Sequence, residues 1–343
     1  MSGTASGTAG GTQRSHRRWG LVLGGGGVLG GAWTVGALTA LEEVHGLDAR
    51  DAEMIVGTSA GSVTAALLGA GVGVGDLRAH QFGVRPQNDL LAAVTWNYET
   101  SAGGAHPPRP RLHPGSAALV TRNVGRWHRM PPTAVLAGLM PEGRGSLAAV
   151  GALVGGLVPS GWAPHPGVRV VALDYDSGHR VVFGHPRFPA ADLPDAVMAS
   201  CAIPGWYAPM TIDGHRYVDG GAWSATSADL LAGLGLAEVF VLAPMVSFAL
   251  DRPASLLARA ERRWRLQVTR RCLREVGKVH AGGTEVTVLG PGPEDLAAMG
   301  SNLMAAQRRR DVLETSLRTS AAALVDPEPL GELPERLELD EAG

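Results

Sequence analysis

Gly57-Thr58-Ser59-Ala60-Gly61 is the stretch that decides the fold, because it separates two runs of different predicted secondary structure. An apolar run at 54–56 precedes it and a helix-like run at 62–68 follows it. A G-x-S-x-G turn between a strand and a helix holds its serine at the tip of a tight elbow, with the hydroxyl projecting into a cleft. Glycines flank the serine because side chains there would clash. The pattern predicts that Ser59 is a nucleophile and that the protein is an acyl hydrolase.

A second glycine-rich turn, residues 24–30 (GGGGVLG), lies between a predicted strand at 19–23 and a predicted helix at 32–44. It satisfies the G-x-G-x-x-G pattern of dinucleotide-binding proteins. That interpretation requires an acidic residue at the end of the second strand, and the strand predicted at 53–56 runs into the serine turn instead. Consecutive amides at a helix N-terminus could also form an oxyanion hole, or the loop could be a plain tight turn. The loop alone does not decide among the three.

A nucleophilic serine needs a base. Of eleven histidines, only His280 lies well beyond Asp219, and its helical context favours a surface histidine. Asp219 follows a predicted strand and precedes Gly220 and Gly221, so its carboxylate could take the Ser59 proton directly. Asp-Gly is also a common turn pair.

The composition is that of an ordinary globular protein. The chain has 343 residues, 45% of them hydrophobic, and a formal net charge of −2, which does not suggest a nucleic-acid partner. Cys201 and Cys272 are too few for a disulfide framework and have no metal-type spacing, which favours a reducing compartment. No apolar run is long enough to span a bilayer. We therefore expect a cytoplasmic protein, either soluble or peripheral at a membrane.

The order of predicted elements favours an α/β fold with a mainly parallel sheet. Residues 85–165 are rich in Pro and Gly and predict an irregular insertion with short helices, either a cover over the active site or a packed layer. Residues 1–18 and 326–343 are expected to be disordered tails. Further strands are predicted at 168–173, 181–183, 238–242 and 286–289, and further helices at 59–68, 193–200, 254–279 and 295–324.

Taken together, the motifs resemble those of the patatin-like phospholipases, a family of serine lipid acyl hydrolases. The resemblance rests on the glycine loop 25–30, the pentapeptide 57–61 and Asp219-Gly220-Gly221, in that order. It is reinforced by residues 199–205 (ASCAIPG), which look like a family segment that precedes the Asp strand. The resemblance covers 19–245. It implies a three-layer α/β/α domain there, followed by a helical extension with a strand at 246–325.

The resemblance also implies a Ser-Asp dyad, with Ser59 as the nucleophile and Asp219 as the acid that activates it. A dyad must keep Asp219 ionised and close to Ser59, so we predict a buried carboxylate with several hydrogen-bond donors. No metal or organic cofactor is implied, and the expected partner is a lipid or acyl-ester substrate. The resemblance assigns the oxyanion hole to the amides of Gly25, Gly26 and Gly27, and the remaining motif glycines are Gly30, Gly57, Gly61, Gly220 and Gly221.

The glycine loop departs from the family pattern in one respect. Many members carry Arg or Lys just before its final glycine, and here that place holds Leu29 or Gly30, with no basic residue from 20 to 41. Without a cation that attracts phosphate, we expect neutral acyl esters to be as suitable as phospholipids. The basic stretches 259–274 and 308–310 could touch an anionic membrane, although a solvated helix face is the commoner explanation.

The motifs leave two other functions open. A non-catalytic lipid-binding or regulatory module could keep the same fold, and an acyltransferase could use the same dyad. The oligomeric state does not follow from the sequence.

Overall fold

A mainly parallel sheet forms the centre of the fold. The computed structural model describes residues 17–100, 102–123, 130–249, 251, 253 and 255–326, and the predicted tails fall almost entirely outside these ranges. Within them eight strands join one sheet. The strands are β1 (Trp19–Leu23), β2 (Met54–Thr58), β3 (Val168–Asp174), β4 (Arg180–Phe183), β5 (Met210–Ile212), β6 (His215–Asp219), β7 (Glu238–Leu242) and β8 (Glu285–Leu289).

The strand order is β5-β6-β3-β2-β1-β7-β8, and β4 also pairs with β3. The pairs β3–β2, β2–β1, β1–β7 and β7–β8 are parallel, whereas β4, β5 and β6 make antiparallel pairs. Parallel strands are buried on both faces and read as continuous apolar runs, and all five residues of β1 are indeed buried. The carboxyl ends of β1 and β2 lie side by side, which brings the glycine loop to the serine turn.

Helices cover both faces of the sheet. They are α1 (Gly27–His45), α2 (Ala60–Gly69), α3 (Val74–Phe82), α4 (Asp89–Ala93), α5 (Ala117–Arg122), α6 (Pro132–Leu139), α7 (Ala148–Gly155), α8 (Leu193–Cys201), α9 (Leu256–His280), α10 (Pro293–Met299) and α11 (Arg309–Val325). Leu21 and Leu23 face a core shared with α1, α2, α8 and α11. Val22 points the other way, into a core with α9. Alternate residues of β1 thus pack against helical layers on opposite faces of the sheet. The predicted three-layer α/β/α class is confirmed.

The predicted long helix at 295–324 is wrong, because the chain breaks into α10 and α11. Gly300 ends α10 with φ 68° and ψ −155°, a conformation that glycine adopts far more readily than other residues. A 3₁₀ turn, Ala306–Arg308, then leads into α11. The break has a consequence at the glycine loop, because it lets the carbonyl of Leu303 accept a hydrogen bond from the Leu29 amide at 3.0 Å.

The segment 85–165 contains four short helices, α4 to α7, within the described residues. Val150, Leu153 and Val154 of α7 belong to the main core, so this part is a packed layer. Other parts of the segment, including Trp96, Tyr98 and Leu136, line cavities beside Ser59. The segment therefore both packs and shapes the site.

Candidate active site

Ser59 stands at the turn between β2 and α2 in a strained backbone conformation. Its φ is 53° and its ψ is −125°, values that non-glycine residues rarely adopt and that mark functional turns. A Cβ on Gly61 would lie 2.0 Å from the carbonyl oxygen of Leu23, and one on Gly57 would lie 2.6 Å from that of Gly61. Gly61 thus lies against the end of β1 and Gly57 against the first turn of α2, so closely that only glycine fits at either position.

Ser200 of α8 holds the backbone of the elbow in place. The Ser59 amide donates to Ser200 Oγ at 2.9 Å, and that hydroxyl donates to the carbonyl of Val171 on β3 at 2.6 Å. Both serines are buried. The sequence motif 199–205 contained Ser200, yet its role was not predicted, because it depends on a partner 141 residues away. Ser200 accordingly joins the candidate site as a positioning residue.

Asp219 ends β6, which lies antiparallel to β3, and its carboxylate reaches Ser59 across the sheet edge. Its Oδ1 accepts a hydrogen bond from the Gly221 amide at 2.7 Å, and Asp219 and Ser59 line the same cavity. The side chain is buried, with a relative exposure of 5% for the residue. Burial raises the pKa of the Asp219 carboxyl to about 6, although the Ser59 side chain and the Gly221 amide act in the opposite direction.

The glycine loop lies against the nucleophile. A Cβ on Gly25 would be only 3.2 Å from that of Ser59. The Gly25 amide itself donates to the carbonyl of Ala225 at 2.8 Å, so it is already occupied. The amides of Gly26 and Gly27, by contrast, have no acceptor among the described residues. They stand at the N-terminus of the 19-residue α1, where free N–H groups and the helix dipole favour negative charge.

Two cavities meet at Ser59. The first, which we call the cleft, has a volume of about 430 Å³ and contains the dyad candidates, the loop Gly25–Gly27 and mostly apolar walls. The second, which we call the chamber, has a volume of about 120 Å³ and runs between α1, α2 and α3. Ile203 and Met304 line both cavities. An ester carbonyl at Ser59 would therefore have one space for each of its two substituents.

The three-layer fold and this elbow place the chain among the α/β proteins with a serine nucleophile motif. The family model for patatin-like phospholipase matches residues 21–232, and the chain belongs to that family. Membership supports lipid acyl hydrolase activity in general terms and leaves no support for the dinucleotide interpretation of the glycine loop.

One solved structure to which the chain is similar is that of VipD from Legionella pneumophila. The two chains share 14% identity with a TM-score of 0.38, and the match covers 88% of this chain and 67% of VipD. No curated protein matches the sequence.

Two further features bear on the site. Within the described ranges, no three His, Cys, Asp or Glu side chains are grouped so that they could hold a metal ion. No helix in the part of the chain that the structure describes has the length and apolar character needed to cross a membrane.

Proposed function

We propose that the protein hydrolyses carboxylic ester bonds of lipids, with Ser59 as the nucleophile and Asp219 as its general base. The observation that carries the proposal is that Ser59, at the strained elbow, and the buried carboxylate of Asp219 line the same cleft. Of the described residues that line the cleft, none is a histidine that could replace Asp219 in this role.

The reaction proceeds in two displacements. Asp219 takes the proton from Ser59 Oγ as that oxygen bonds to the acyl carbon, and the alcohol leaves with the proton. Water then attacks the acyl carbon and gives a proton to Asp219, which passes it to Ser59 Oγ as the bond from that oxygen to the acyl carbon breaks and the fatty acid leaves. In both steps the negative carbonyl oxygen lies at the free amides of Gly26 and Gly27, which is a smaller oxyanion hole than the one expected from the sequence.

Apolar side chains around the cleft mouth support a lipid substrate. Leu136, Trp206 and Trp264 line the cleft and are 52%, 39% and 42% exposed. Exposed Trp and Leu beside a cleft suit the interface between water and lipid. Arg259 and Arg263 are exposed on the same helix as Trp264 and would favour an anionic surface. We propose peripheral contact of this rim with membranes.

The substrate need not carry a phosphate. Leu29 is fully buried in the main core, so its position in the glycine loop offers no cation to the cleft. We propose that neutral acyl esters are hydrolysed at least as well as phospholipids. Parallel assays with a triglyceride, a p-nitrophenyl ester and phosphatidylcholine test this, and a strong preference for phosphatidylcholine would contradict it.

Labelling with a fluorophosphonate tests the dyad directly. Ser59→Ala should abolish both labelling and hydrolysis, and Asp219→Asn should slow both by about 10²–10⁴-fold, as expected for loss of a general base. Ser301→Ala is the matched control, because Ser301 is exposed and makes no side-chain hydrogen bond with the described residues. Label retained in Ser59→Ala would refute the assignment.

The same experiment distinguishes ester hydrolysis from the two alternative functions, a non-catalytic lipid-binding module and an acyltransferase. A non-catalytic lipid-binding module would neither label nor release fatty acid. An acyltransferase would label normally but would transfer the acyl group to an added alcohol in preference to water, which product analysis detects.

A further inference from the structure

Arg309 is a buried cation without an acidic partner. It begins α11, is 7% exposed and makes no ion pair with any described carboxylate. Its Nε donates to the carbonyl of Gln81 at 2.7 Å, and its Nη1 donates to that of Tyr98 at 3.0 Å. The guanidinium also lies over the Tyr98 ring, 4.6 Å from its centroid. These contacts use two of its five N–H groups, and the Nη2 nitrogen has no acceptor among the described residues.

The other arginines that are buried among the described residues form ion pairs with carboxylates. Arg262 pairs with Asp251 and Glu261, and Arg265 pairs with Glu261 at 2.5 Å. Such pairing is the rule, because a buried charge without a partner costs free energy. Burial accordingly lowers the pKa of Arg309 from its ordinary value. An anion that reached Arg309 would supply the missing partner.

Arg309 belongs to a polar part of the chamber wall. Gln81, His80 and Tyr98 line the same cavity, and the buried Oε1 of Gln81 has no hydrogen-bond partner. The Tyr98 hydroxyl and His80 Nδ1 are 3.0 Å apart. Burial, reinforced by Arg309, lowers the pKa of His80 to about 4, so its imidazole is neutral at pH 7. No described residue that lines the chamber is acidic, and Arg309 therefore carries the only charge in this wall.

The rest of the chamber suits an aliphatic chain. Ala60, Val63, Thr64 and Leu67 line it at helical spacing along one face of α2. Seven residues of helix advance about 10 Å. An extended chain advances about 1.2 Å per bond, so this face matches an acyl group of roughly eight carbons.

The polar wall belongs to a different cavity from Asp219, although Ser59 lines both cavities. Arg309 does not line the cleft that holds Asp219. An acyl chain that extended from Ser59 into the chamber would share this cavity with the apolar face of α2 and with the guanidinium.

From these observations we propose that the chamber selects acyl chains that carry a carboxylate at the end remote from the ester, and that Arg309 binds this carboxylate. The inference rests on the proposed ester hydrolysis at Ser59 and names the substrate class: ω-carboxyl acyl esters of medium length. The carboxylate accepts hydrogen bonds from Nη2 and from the second N–H of Nη1. Gln81 can donate to it after rotation of its amide, which exchanges the oxygen and nitrogen positions.

Matched p-nitrophenyl esters test this proposal. The substrates are p-nitrophenyl half-esters of dicarboxylic acids with about six to ten carbons, each paired with its neutral terminal methyl ester. At pH 8 we expect the wild-type kcat/KM to favour the carboxylate over the methyl ester by about ten- to a hundredfold, the range that charge-assisted hydrogen bonds supply. Arg309→Met should remove this preference. Arg310→Met, the same change at the exposed neighbouring arginine, should retain it.

p-Nitrophenyl acetate distinguishes a loss of carboxylate recognition from general damage to the active site, because its acyl group is too short to cross the chamber. Its hydrolysis should be equal in the wild type and both variants. Equal kcat/KM values for carboxylate and methyl ester in the wild type would overturn the proposal. So would a preference that survives in Arg309→Met, or an equal loss of acetate hydrolysis and of the longer esters in that variant.

A binding measurement keeps the proposal testable if Arg309→Met does not fold. In Ser59→Ala, monomethyl octanedioate should raise the melting temperature more than dimethyl octanedioate does, because only the former carries a carboxylate for Arg309, and equal shifts would overturn the proposal. Failure of the underlying hydrolase function has a different signature, namely no hydrolysis of any ester, acetate included, and no fluorophosphonate label at Ser59. The binding measurement in Ser59→Ala would still decide the role of Arg309 in that case.

Discussion

The raised pKa of Asp219 predicts an unusual pH dependence for a carboxylate base. An ordinary aspartate with a pKa of 3.8 is fully ionised by pH 6, whereas Asp219 has a pKa of about 6 because it is buried. At pH 5 only about a tenth of the molecules would carry the ionised base, and at pH 7 about nine-tenths would. We therefore expect kcat/KM to rise about tenfold from pH 5 to pH 7, and the rise should stop near pH 8.

The same shift predicts an opposite trend in stability. The folded state holds a proton on Asp219 between pH 3.8 and about 6, where the unfolded chain has released it. The contribution of this group is therefore fully present below pH 3.8 and is lost as the pH rises through 6. The loss amounts to about 3 kcal/mol of unfolding free energy. Asp219→Asn cannot ionise, so its stability relative to the wild type should improve by about this amount between pH 4 and pH 7.

Two assays check the pair of trends. Initial rates with a soluble p-nitrophenyl ester give the kcat/KM profile from pH 4.5 to 9, and urea unfolding of the wild type and Asp219→Asn gives the stability difference. His80→Asn is the control, since a histidine could otherwise produce a rise near pH 6 and His80 lines the chamber beside Ser59. A kinetic pKa near 4, or a limb near 6 that disappears in His80→Asn, would refute the reasoning.

Two further predictions concern the elbow. Ser200→Ala removes the side-chain hydroxyl that bonds the buried Ser59 amide and a β3 carbonyl. It should lower the free energy of unfolding, measured in urea, by about 1–3 kcal/mol and slow the labelling of Ser59. An unchanged unfolding midpoint would contradict the positioning role. Gly61→Ala would place a Cβ 2.0 Å from the Leu23 carbonyl oxygen and should abolish labelling or folding. The control is Gly277→Ala in helix α9, which has open space around it and should be neutral or slightly stabilising in thermal melts. Normal labelling of Gly61→Ala would disprove the close packing of the elbow.

The sequence by itself determined the features that depend on neighbouring residues. Buried parallel strands are short apolar runs, and a serine elbow needs glycine on both sides, so the α/β class and the turn at Ser59 could be predicted from local patterns. The order of the glycine loop, elbow and Asp219 also indicated the family, and the family model confirms it. The catalytic roles of Ser59 and Asp219 stay predictions that labelling will test.

Only the tertiary structure decided which partners each group meets. Ala225 occupies the Gly25 amide, Ser200 anchors the elbow from 141 residues away, and Arg309 reaches the carbonyl of Gln81 across 228 positions. Helical periodicity also did not reveal the break at Gly300, which comes just before the Leu303 carbonyl that accepts from the Leu29 amide. The spacing of apolar residues and the residue types at turns indicate the local structure of each segment. Hydrogen-bond partners and cavity walls arise from packing between distant segments, which a single sequence does not specify.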